Sequence, residues 1–301
     1  MIIHPGLYVI LASVPVFLGL LLQPLHLGDF FSFQPNTGHI SPPRILLLTA
    51  HPDDETFFFG PTITSLIPSF SMSESVSSME NASDPLIRRF PQVYSLCFSV
   101  GNADGLGDIR RHELEVSLDV LGVAGDKRWV LDKVEFQDNI NAGWDAILIA
   151  DTIYKYVVDY NISIILTFDS YGVSGHPNHF SLYRGVSRLL AALPAGTRYP
   201  IAAYSLKSKP VIIKYMGILA PLLVKLKVVS SRAVDTLTHG TLGNFVSPVQ
   251  PVFVAGVKEY RRTVSATLRH RSQRAWFRWL YMAFSQYMWV NEWERIHAIE
   301  D

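Results

Sequence analysis

Two short segments of the sequence concentrate residues that bind metals and transfer protons: HPDDE at residues 51–55 and HPNH at residues 176–179. In the first, the histidine and one aspartate can supply two ligands for a catalytic zinc ion. The other aspartate can then serve as a general base for a water molecule. In the second, two histidines three residues apart can add one ligand and one group that faces the substrate. The residues predict a metal-dependent hydrolase, although an acidic helix N-cap is the alternative for the first segment.

Both segments follow short apolar runs that are typical of buried parallel strands, RILLLTA at residues 44–50 and SIILTF at residues 163–168. Further strands are predicted at Val93–Val100, around Trp129–Val134 and at Ile201–Leu206. Helical patterns lie between them, at about Thr56–Leu66, Asp108–Leu121, Trp144–Asp159 and His179–Leu193. This alternation predicts an α/β, Rossmann-like, three-layer fold, with a mostly parallel sheet and helices on both faces. In such sheets, ligands bind beyond the carboxyl ends of the strands, where both segments lie.

The composition favours a protein that is associated with a membrane. Of the 301 residues, 49% are hydrophobic and only 17% are charged, whereas about a quarter are charged in an average soluble domain. The formal net charge is zero, so bulk electrostatics gives no indication of a nucleic acid partner. Cys97 is the only cysteine, which excludes an internal disulfide and a thiolate-rich zinc site.

The first residues predict a membrane anchor. Leu7–Leu22 is an uncharged and almost wholly apolar run that extends to about Leu27, close to the minimum that spans a bilayer. We assign residues 1–28 to this anchor and residues 29–43 to a linker. No Lys or Arg precedes Arg44, which argues against a cleaved secretory signal and places the following domain in the cytoplasm. A signal peptide and a buried helix remain the alternatives.

The rest of the chain, residues 44–301, is predicted to form one domain. Residues 69–85 are rich in Ser and poor in large apolar residues, which is typical of a flexible surface loop. Residues 211–229 are strongly apolar with three interspersed lysines, and residues 257–290 are helical in period and rich in Arg and aromatic residues. The second of these segments suits an amphipathic helix at the level of lipid headgroups, or equally a helix packed on the sheet with its basic face in water.

Four segments carry a resemblance to a known family. They are AHPDDETFFFGPTI at residues 50–63, LCFSVGNADGLGDIRRHEL at 96–114, LTFDSYGVSGHPNHFSLY at 166–183, and HRSQRAWFRWLYMAFSQYM at 270–288. The first segment resembles the LmbE-like zinc N-deacetylases in general. The sequences of the other three segments are similar to those of the eukaryotic PIG-L branch of that family. That branch implies removal of an acetyl group from N-acetylglucosaminyl-phosphatidylinositol in the synthesis of GPI anchors. A soluble N-acetylglucosamine conjugate is the alternative substrate.

The resemblance also implies roles for the residues of the two short segments. His51, Asp54 and His179 are expected to bind Zn²⁺, although the same ligands accept other divalent metals. Asp53 is expected to be the general base that deprotonates the attacking water. His176 is expected to face the substrate carbonyl and to stabilise the oxyanion.

Two further residues are candidates on the same basis. Asp169 is our candidate for the carboxylate that pairs with a histidine, and a loop-capping residue is the alternative. Arg110 is expected near the substrate, and a charge on the surface of a helix is the alternative. The resemblance implies a glycolipid substrate and a single-pass protein of the endoplasmic reticulum membrane with a cytoplasmic catalytic domain. It leaves the oligomeric state open.

Overall fold

The computed structural model describes residues 13–15, 19, 22–27, 42–67, 91–193, 201–237 and 250–298. Most of the predicted anchor and linker and all of the predicted Ser-rich loop, residues 69–85, lie outside these ranges. Within them, none of the helices combines the length and the apolar character needed to cross a membrane.

The centre of the molecule is an eight-stranded mixed sheet. In chain order the strands are β1 (Leu25–Leu27), β2 (Arg44–Thr49), β3 (Gln92–Cys97), β4 (Arg128–Val130), β5 (Ile164–Phe168), β6 (Ala202–Leu206), β7 (Val252–Val254) and β8 (Val290–Arg295). Across the sheet the order is β1-β7-β8-β6-β5-β2-β3-β4. Strands β2 to β6 pair in parallel, and β8, β7 and β1 extend the sheet by antiparallel pairing. The α/β class and the mostly parallel sheet are confirmed, and the antiparallel extension is new.

Helices connect the strands and pack in two groups. They are α1 (Asp54–Phe57), α2 (Gly60–Leu66), α3 (Gly107–Leu121), α4 (Ala146–Tyr160), α5 (Gly172–Gly175), α6 (Pro177–Ala192), α7 (Val211–Lys214), α8 (Leu219–Leu237), α9 (Val257–Thr267) and α10 (Trp276–Phe284). The chain runs outward from β2 to β4 and then returns to β5 on the other side of β2. Because crossovers between parallel strands are right-handed, α2 and α3 lie on one face and α4 and α6 on the other. Accordingly, α9 packs against α2 and α3, while α4 packs against α6.

Three predicted elements differ from the structure. The predicted helix Thr56–Leu66 is divided, since α1 ends at Phe57 and α2 begins at Gly60, with Pro61 in its first turn where a missing N–H is tolerated. The predicted strand Trp129–Val134 is shorter, since β4 ends at Val130 and a 3₁₀ turn occupies Val134–Phe136. The C-terminal stretch 257–290 forms two helices, α9 and α10, because the chain between them turns the side chain of His270 into the core.

The reversal of direction across the sheet creates a crevice for the site. The strands β2 and β5 are adjacent and parallel, but the helices that follow them lie on opposite faces of the sheet. A crevice therefore opens beyond their carboxyl ends, which is where ligands bind in this class of fold. The HPDDE segment follows β2 and the HPNH segment follows β5, and the rings of His51 and His179 lie 5.5 Å apart there.

The end of the predicted anchor belongs to the sheet. Leu25–Leu27, which the sequence assigns to residues 1–28 of the anchor, forms β1 and pairs with β7. Close by, the Lys225 ammonium on α8 donates a hydrogen bond to the carbonyl of Gln23. The anchor prediction is corrected at this end, because backbone groups that bond to a sheet edge are part of the folded domain.

Candidate active site

The turn after β2 is held in an unusual backbone conformation. Asp53 has φ of 112°, a region that residues with a Cβ rarely adopt. Its N–H donates to Glu55 Oε2 at 3.0 Å, and its carbonyl accepts from the N–H of Thr56 at 3.2 Å and from the Thr56 hydroxyl at 2.9 Å. These bonds fix a tight turn from which His51, Asp53 and Asp54 all project into the crevice.

Asp54 is a buried carboxylate with many donors. Its Oδ2 accepts the N–H of Ala50 at 3.0 Å and the N–H of His51 at 2.9 Å, and its Oδ1 lies 3.3 Å from His179 Nε2. Burial alone would raise the pKa of Asp54, but the charge and hydrogen bond of His179, together with His51, hold this pKa well below its usual range. Asp54 is therefore an anion that faces the histidines.

Three histidines form a cluster that could hold a metal ion. Ring nitrogens of His51, His176 and His179 all lie within 4.8 Å of one another. The Nδ1 of His179 is 3.0 Å from the carbonyl of Gly172 and 3.1 Å from the hydroxyl of Ser174. A hydrogen on Nδ1 that is donated to this carbonyl leaves the Nε2 lone pair directed at the centre of the site. A carbonyl that fixes the tautomer in this way is the usual support of a metal-binding histidine.

The ring of His51 is oriented by two side chains from other elements. Its Nε2 lies 3.1 Å from Asn178 Oδ1 and 3.2 Å from Asp138 Oδ1, while its Nδ1 lies 3.9 Å from Asp54 Oδ2. Burial would lower the pKa of His51, but the hydrogen bond to Asp138 and the charges of the aspartates raise it. With Nε2 engaged as a donor, Nδ1 is the nitrogen that is available to a cation beside Asp54.

His176 differs from the other two histidines because its Nδ1 already accepts a hydrogen bond. It is the N-cap of α6, and its Nδ1 accepts the N–H of Asn178 at 3.2 Å. The pKa of His176 is lowered to about 4 by burial and by the charges of His51 and His179. At neutral pH the ring is therefore uncharged, with its hydrogen on Nε2, and Nε2 is a hydrogen-bond donor rather than a metal ligand.

The carboxylate of Asp53 lies between two guanidinium groups. Arg278 Nη2 is 3.1 Å from Asp53 Oδ2, and Arg110 Nη2 is 4.0 Å from Asp53 Oδ1. Burial and the charge of Asp54 raise the pKa of Asp53, and Arg278 and Arg110 limit the rise. Arg278 lies on α10, and its guanidinium is 4.4 Å from the centre of the Phe57 ring. The sequence alone did not identify Arg278 as a site residue.

Arg110 is buried within the site. Its guanidinium donates to the carbonyl of Gly101 at 2.9 Å and to the carbonyl of Pro52 at 2.9 Å, and it lies 3.7 Å from Asp138 Oδ2. Gly101 has φ of 69°, and a Cβ at this position would lie 2.6 Å from the guanidinium. The glycine-containing loop after β3 thus packs closely around the Arg110 guanidinium. This burial disagrees with the alternative that Arg110 is a charge on the surface of a helix.

Asp138, rather than Asp169, lies against the histidines. Asp169 accepts hydrogen bonds from the N–H and hydroxyl of Ser208, both at 2.7 Å, and from the N–H of Tyr171 at 3.1 Å. These contacts match the loop-capping alternative for Asp169. Asp138 contacts His51 and lies 3.7 Å from His176 Nε2. Its place in the loop beyond β4 was the signal that could have identified it.

A further buried acid, Glu55, stabilises the turn after β2 from the side of the protein core. Glu55 Oε1 lies 2.6 Å from His270 Nε2 and accepts the hydroxyl of Ser117 at 2.6 Å, and the side chains of Glu55 and His270 are fully buried. Burial would lower the pKa of His270, but the charge and hydrogen bond of Glu55 raise it. Because Glu55 also receives the Asp53 N–H, the segment that begins at His270 is connected to the turn.

Comparisons with known proteins agree with this geometry. A family profile described as "PIG-L: GlcNAc-PI de-N-acetylase" matches residues 46–190. The N-acetylglucosaminyl-phosphatidylinositol de-N-acetylase of Bos taurus is 35% identical over 82% of this chain and 81% of its own length. That of Arthroderma benhamiae is 30% identical over 93% of this chain and 98% of its own length.

A solved structure shares the fold. The N,N'-diacetylchitobiose deacetylase of Pyrococcus horikoshii aligns with a TM-score of 0.50 at 14% identity, over 99% of this chain and 95% of that one. At such low identity the likeness concerns the fold, whereas the bovine and fungal sequences are similar along most of their length. On the strength of these relatives, the chain belongs to the PIG-L family of GlcNAc-PI de-N-acetylases.

Proposed function

We propose that the protein hydrolyses the acetamide of N-acetylglucosaminyl-phosphatidylinositol, releasing acetate and leaving glucosaminyl-phosphatidylinositol in the membrane. The observation that carries the chemistry is the buried Asp53 carboxylate, which lies beside an anion and a histidine cluster that could hold a metal. The substrate is supported by the eukaryotic relatives, whose names state this activity.

The donor set fits a zinc ion bound by His51, Asp54 and His179. His51 and His179 each have one ring nitrogen engaged elsewhere and the other directed towards Asp54, and neutral imidazole with carboxylate is a usual zinc donor set. His176 is excluded from the set because its Nε2 carries the hydrogen. When bound, zinc would polarise the amide carbonyl and lower the pKa of water.

Asp53 and His176 then have different roles in the reaction. Asp53 removes a proton from the attacking water, and its raised pKa makes it a stronger base than an exposed aspartate. The Nε2–H of His176 donates a hydrogen bond to the oxygen of the former carbonyl as it gains negative charge. Asp53 finally passes its proton to the departing nitrogen, so that the amine leaves neutral, and the acid that keeps the hydroxyl oxygen gives its proton to solvent and leaves as acetate.

Arg110 and Asp138 position these groups. Arg110 holds the Pro52 carbonyl beside Asp53, and its charge is close enough to the crevice to attract an anionic substrate group. Asp138 orients His51 and faces the Nε2 of His176. Asp169 has no role in this scheme, because Ser208 and Tyr171 occupy its carboxylate.

We also propose that the protein acts at the endoplasmic reticulum membrane with its catalytic domain in the cytoplasm. The eukaryotic relatives support this location through their activity on a lipid. The single-pass anchor remains a prediction, because most of its residues lie outside the described ranges.

The decisive experiment supplies vesicles that contain N-acetylglucosaminyl-phosphatidylinositol to the purified full chain and measures released acetate. We expect activity that a chelator abolishes and that added zinc restores. We expect Asp53→Asn to lose about 10²–10⁴-fold in rate while it keeps its zinc. Asp132→Asn, a change at an exposed aspartate, is the control. Full activity of Asp53→Asn with metal bound would refute the role of the base.

A further inference from the structure

The helix α10 exposes large apolar side chains to solvent. Trp276 is 76% exposed, and Phe277, Trp279, Leu280 and Phe284 are each about half exposed. The opposite side of the same helix is turned inward, where Tyr281 donates a hydrogen bond to the carbonyl of Phe57. α10 is thus an amphipathic helix whose apolar face is about half exposed or more among the described residues.

A second apolar surface adjoins α10. It is formed by α7 and the first turns of α8, where Ile212 is 85% exposed and Leu219 and Leu223 are 54% and 50% exposed. The connection between α7 and α8 contacts the end of α10, because the N–H of Gly217 donates to the carbonyl of Phe284 at 2.7 Å. Thirteen of the twenty-one exposed large hydrophobic side chains among the described residues lie in these two segments, so the exposure is concentrated rather than scattered.

The charged residues within these two segments are all basic. The sequence contains no Asp or Glu between residues 207 and 234 or between residues 260 and 291. Lys207 and Lys209 pair with glutamates of β8, whereas Arg271 and Arg274 beside α10 are exposed. Apolar and aromatic side chains bordered by arginine are complementary to a bilayer that contains anionic lipids.

The apolar surface and the catalytic base are joined by one helix. Arg278 of α10 contacts Asp53 on its inner side, and the outer side of the helix carries the exposed aromatic residues. The two sides are separated by about 10 Å, the diameter of a helix. Whatever covers the outer face of α10 therefore lies about one helix diameter from the contact between Arg278 and Asp53.

We propose that α7, the first turns of α8 and α10 form a lipid-binding face that rests on a bilayer with anionic headgroups. Contact with the bilayer brings the acetamide of an embedded glycolipid to Asp53 while its acyl chains stay in the membrane. The proposal rests on the proposed function for the identity of that glycolipid. The lipid-binding face itself is defined by exposure and charge, and it can be tested without turnover.

Single-cysteine labels provide that test. Cys97 is fully buried and burial raises its pKa, so a thiol reagent will label a cysteine introduced at the surface. We would place a fluorophore on Trp279→Cys or Leu280→Cys in the full chain, in nanodiscs of phosphatidylcholine and phosphatidylinositol that hold one protein each. Tyr154→Cys on α4, a half-exposed position, is the matched control.

The expected result is quenching of the α10 labels by nitroxide lipids, together with protection from iodide relative to the α4 label. Equal iodide quenching at the two sites would overturn the proposal. Protection that requires two proteins in a disc, and that is lost when each disc holds one, would also overturn it, because the face would then bind a second copy of the chain.

An activity measurement separates this proposal from the function on which it rests. The variant Trp276→Ser, Phe277→Ser, Trp279→Ser should lose at least about tenfold in rate on vesicle-borne glycolipid and keep its rate on the water-soluble headgroup. The control pair Ile147→Ser, Tyr154→Ser on α4 should keep both rates. Equal rates of the triple variant and the wild type on vesicles would overturn the lipid-binding face. Absence of any deacetylation by the wild type would instead overturn the proposed function, and the label result would still decide whether the face binds lipid.

Discussion

At the scale of single residues, Asp53 is a buried carboxylate whose charge is balanced from outside its own turn. Its pKa is raised by burial, yet Arg278 from the distant α10 and Arg110 from α3 supply positive charge. Such a balance suits a general base, which must be ionised at working pH and still accept a proton readily.

Removing the charge of Arg278 should shift the pH dependence of the reaction. Asp53 acts in its ionised form, so kcat/KM falls as the pH drops through the pKa of Asp53. Because Arg278 lowers that pKa, Arg278→Gln should raise it and move the acidic limb to higher pH, whereas Arg278→Lys should leave the limb near its original place. A pH profile of kcat/KM for the three proteins checks this. An unchanged limb in Arg278→Gln would mean that Arg278 acts only through packing.

The roles of Asp54 and His176 can be distinguished by metal content. Asp54→Asn should bind zinc weakly and lose activity, because it removes an anionic ligand. His176→Gln should keep its zinc and lose about 10²–10³-fold in kcat, the usual effect of removing one oxyanion donor. Elemental analysis after dialysis, with kinetics on the same samples, provides the measurement. Loss of zinc from His176→Gln would instead favour the three-histidine cluster as the metal site.

The sequence identified residues that lie close together along the chain, and it missed those that arrive from elsewhere. HPDDE and HPNH were found because metal and acid–base chemistry need those residue types at short spacing. Asp138 and Arg278 are single residues without such a pattern, and only the fold brings them to His51 and Asp53. Asp169 is our candidate for the carboxylate that pairs with a histidine, but Ser208 provides it with hydrogen bonds that the sequence does not reveal.

At the scale of elements, the turn after β2 depends on the segment between α9 and α10. His270 reaches Glu55, and the hydroxyl and N–H of Ser272 donate to the Glu113 carboxylate on α3 at 2.6 Å and 2.8 Å. These contacts join residues more than 150 positions apart. They explain why the C-terminal region is broken into two helices instead of continuing as one.

Replacing His270 should therefore damage both stability and the site. His270→Ala leaves the buried Glu55 carboxylate without its partner, and breaking one side of a buried ion pair costs about 3–5 kcal/mol. We expect a lower free energy of unfolding in denaturant titration and weaker activity, since Glu55 also receives the Asp53 N–H. Arg269→Ala, at the exposed preceding position, should have little effect on either. A stable and fully active His270→Ala would show that Ser117 and the Asp53 N–H are sufficient to support Glu55.

The elements that were predicted correctly are those with strong local patterns. The runs before HPDDE and HPNH are continuous and apolar, and they form β2 and β5 in the centre of the sheet. β1 and β7 have three residues each, which is too short for a periodic signal. They form strands because β7 pairs with the edge of β8 and β1 then pairs with β7.

At the scale of the whole molecule, residues 22–27 are attached to the domain at the far edge of the sheet. β1 pairs with β7, and Gly256, two residues after β7, leaves room for the carbonyl of Leu22, which a Cβ at position 256 would overlap. Gly256 has φ of −83°, so close approach rather than backbone conformation accounts for this glycine.

The variant Gly256→Ala should loosen the N-terminal residues from the sheet. Overpacking at such a contact costs roughly 1–3 kcal/mol, so the amides of Leu25–Leu27 should exchange with deuterium faster, while metal binding is unaffected. Gly125→Ala is the control, because its nearest neighbour is the flexible guanidinium of Arg128 at 3.4 Å. Unchanged exchange in β1 would mean that the Leu22 backbone moves aside without cost.

The attachment of β1 has a consequence for how the enzyme meets its substrate. Only Gln23 and Pro24 separate Leu22, where the apolar run ends, from the first residue of β1, and three residue steps span at most about 10 Å. An anchor that ends there would restrict the tumbling of the domain and keep one side of it turned towards the lipid. Encounters would then depend on lateral diffusion of the glycolipid in the plane of the bilayer, and the rate should follow the surface density of the lipid rather than its bulk concentration.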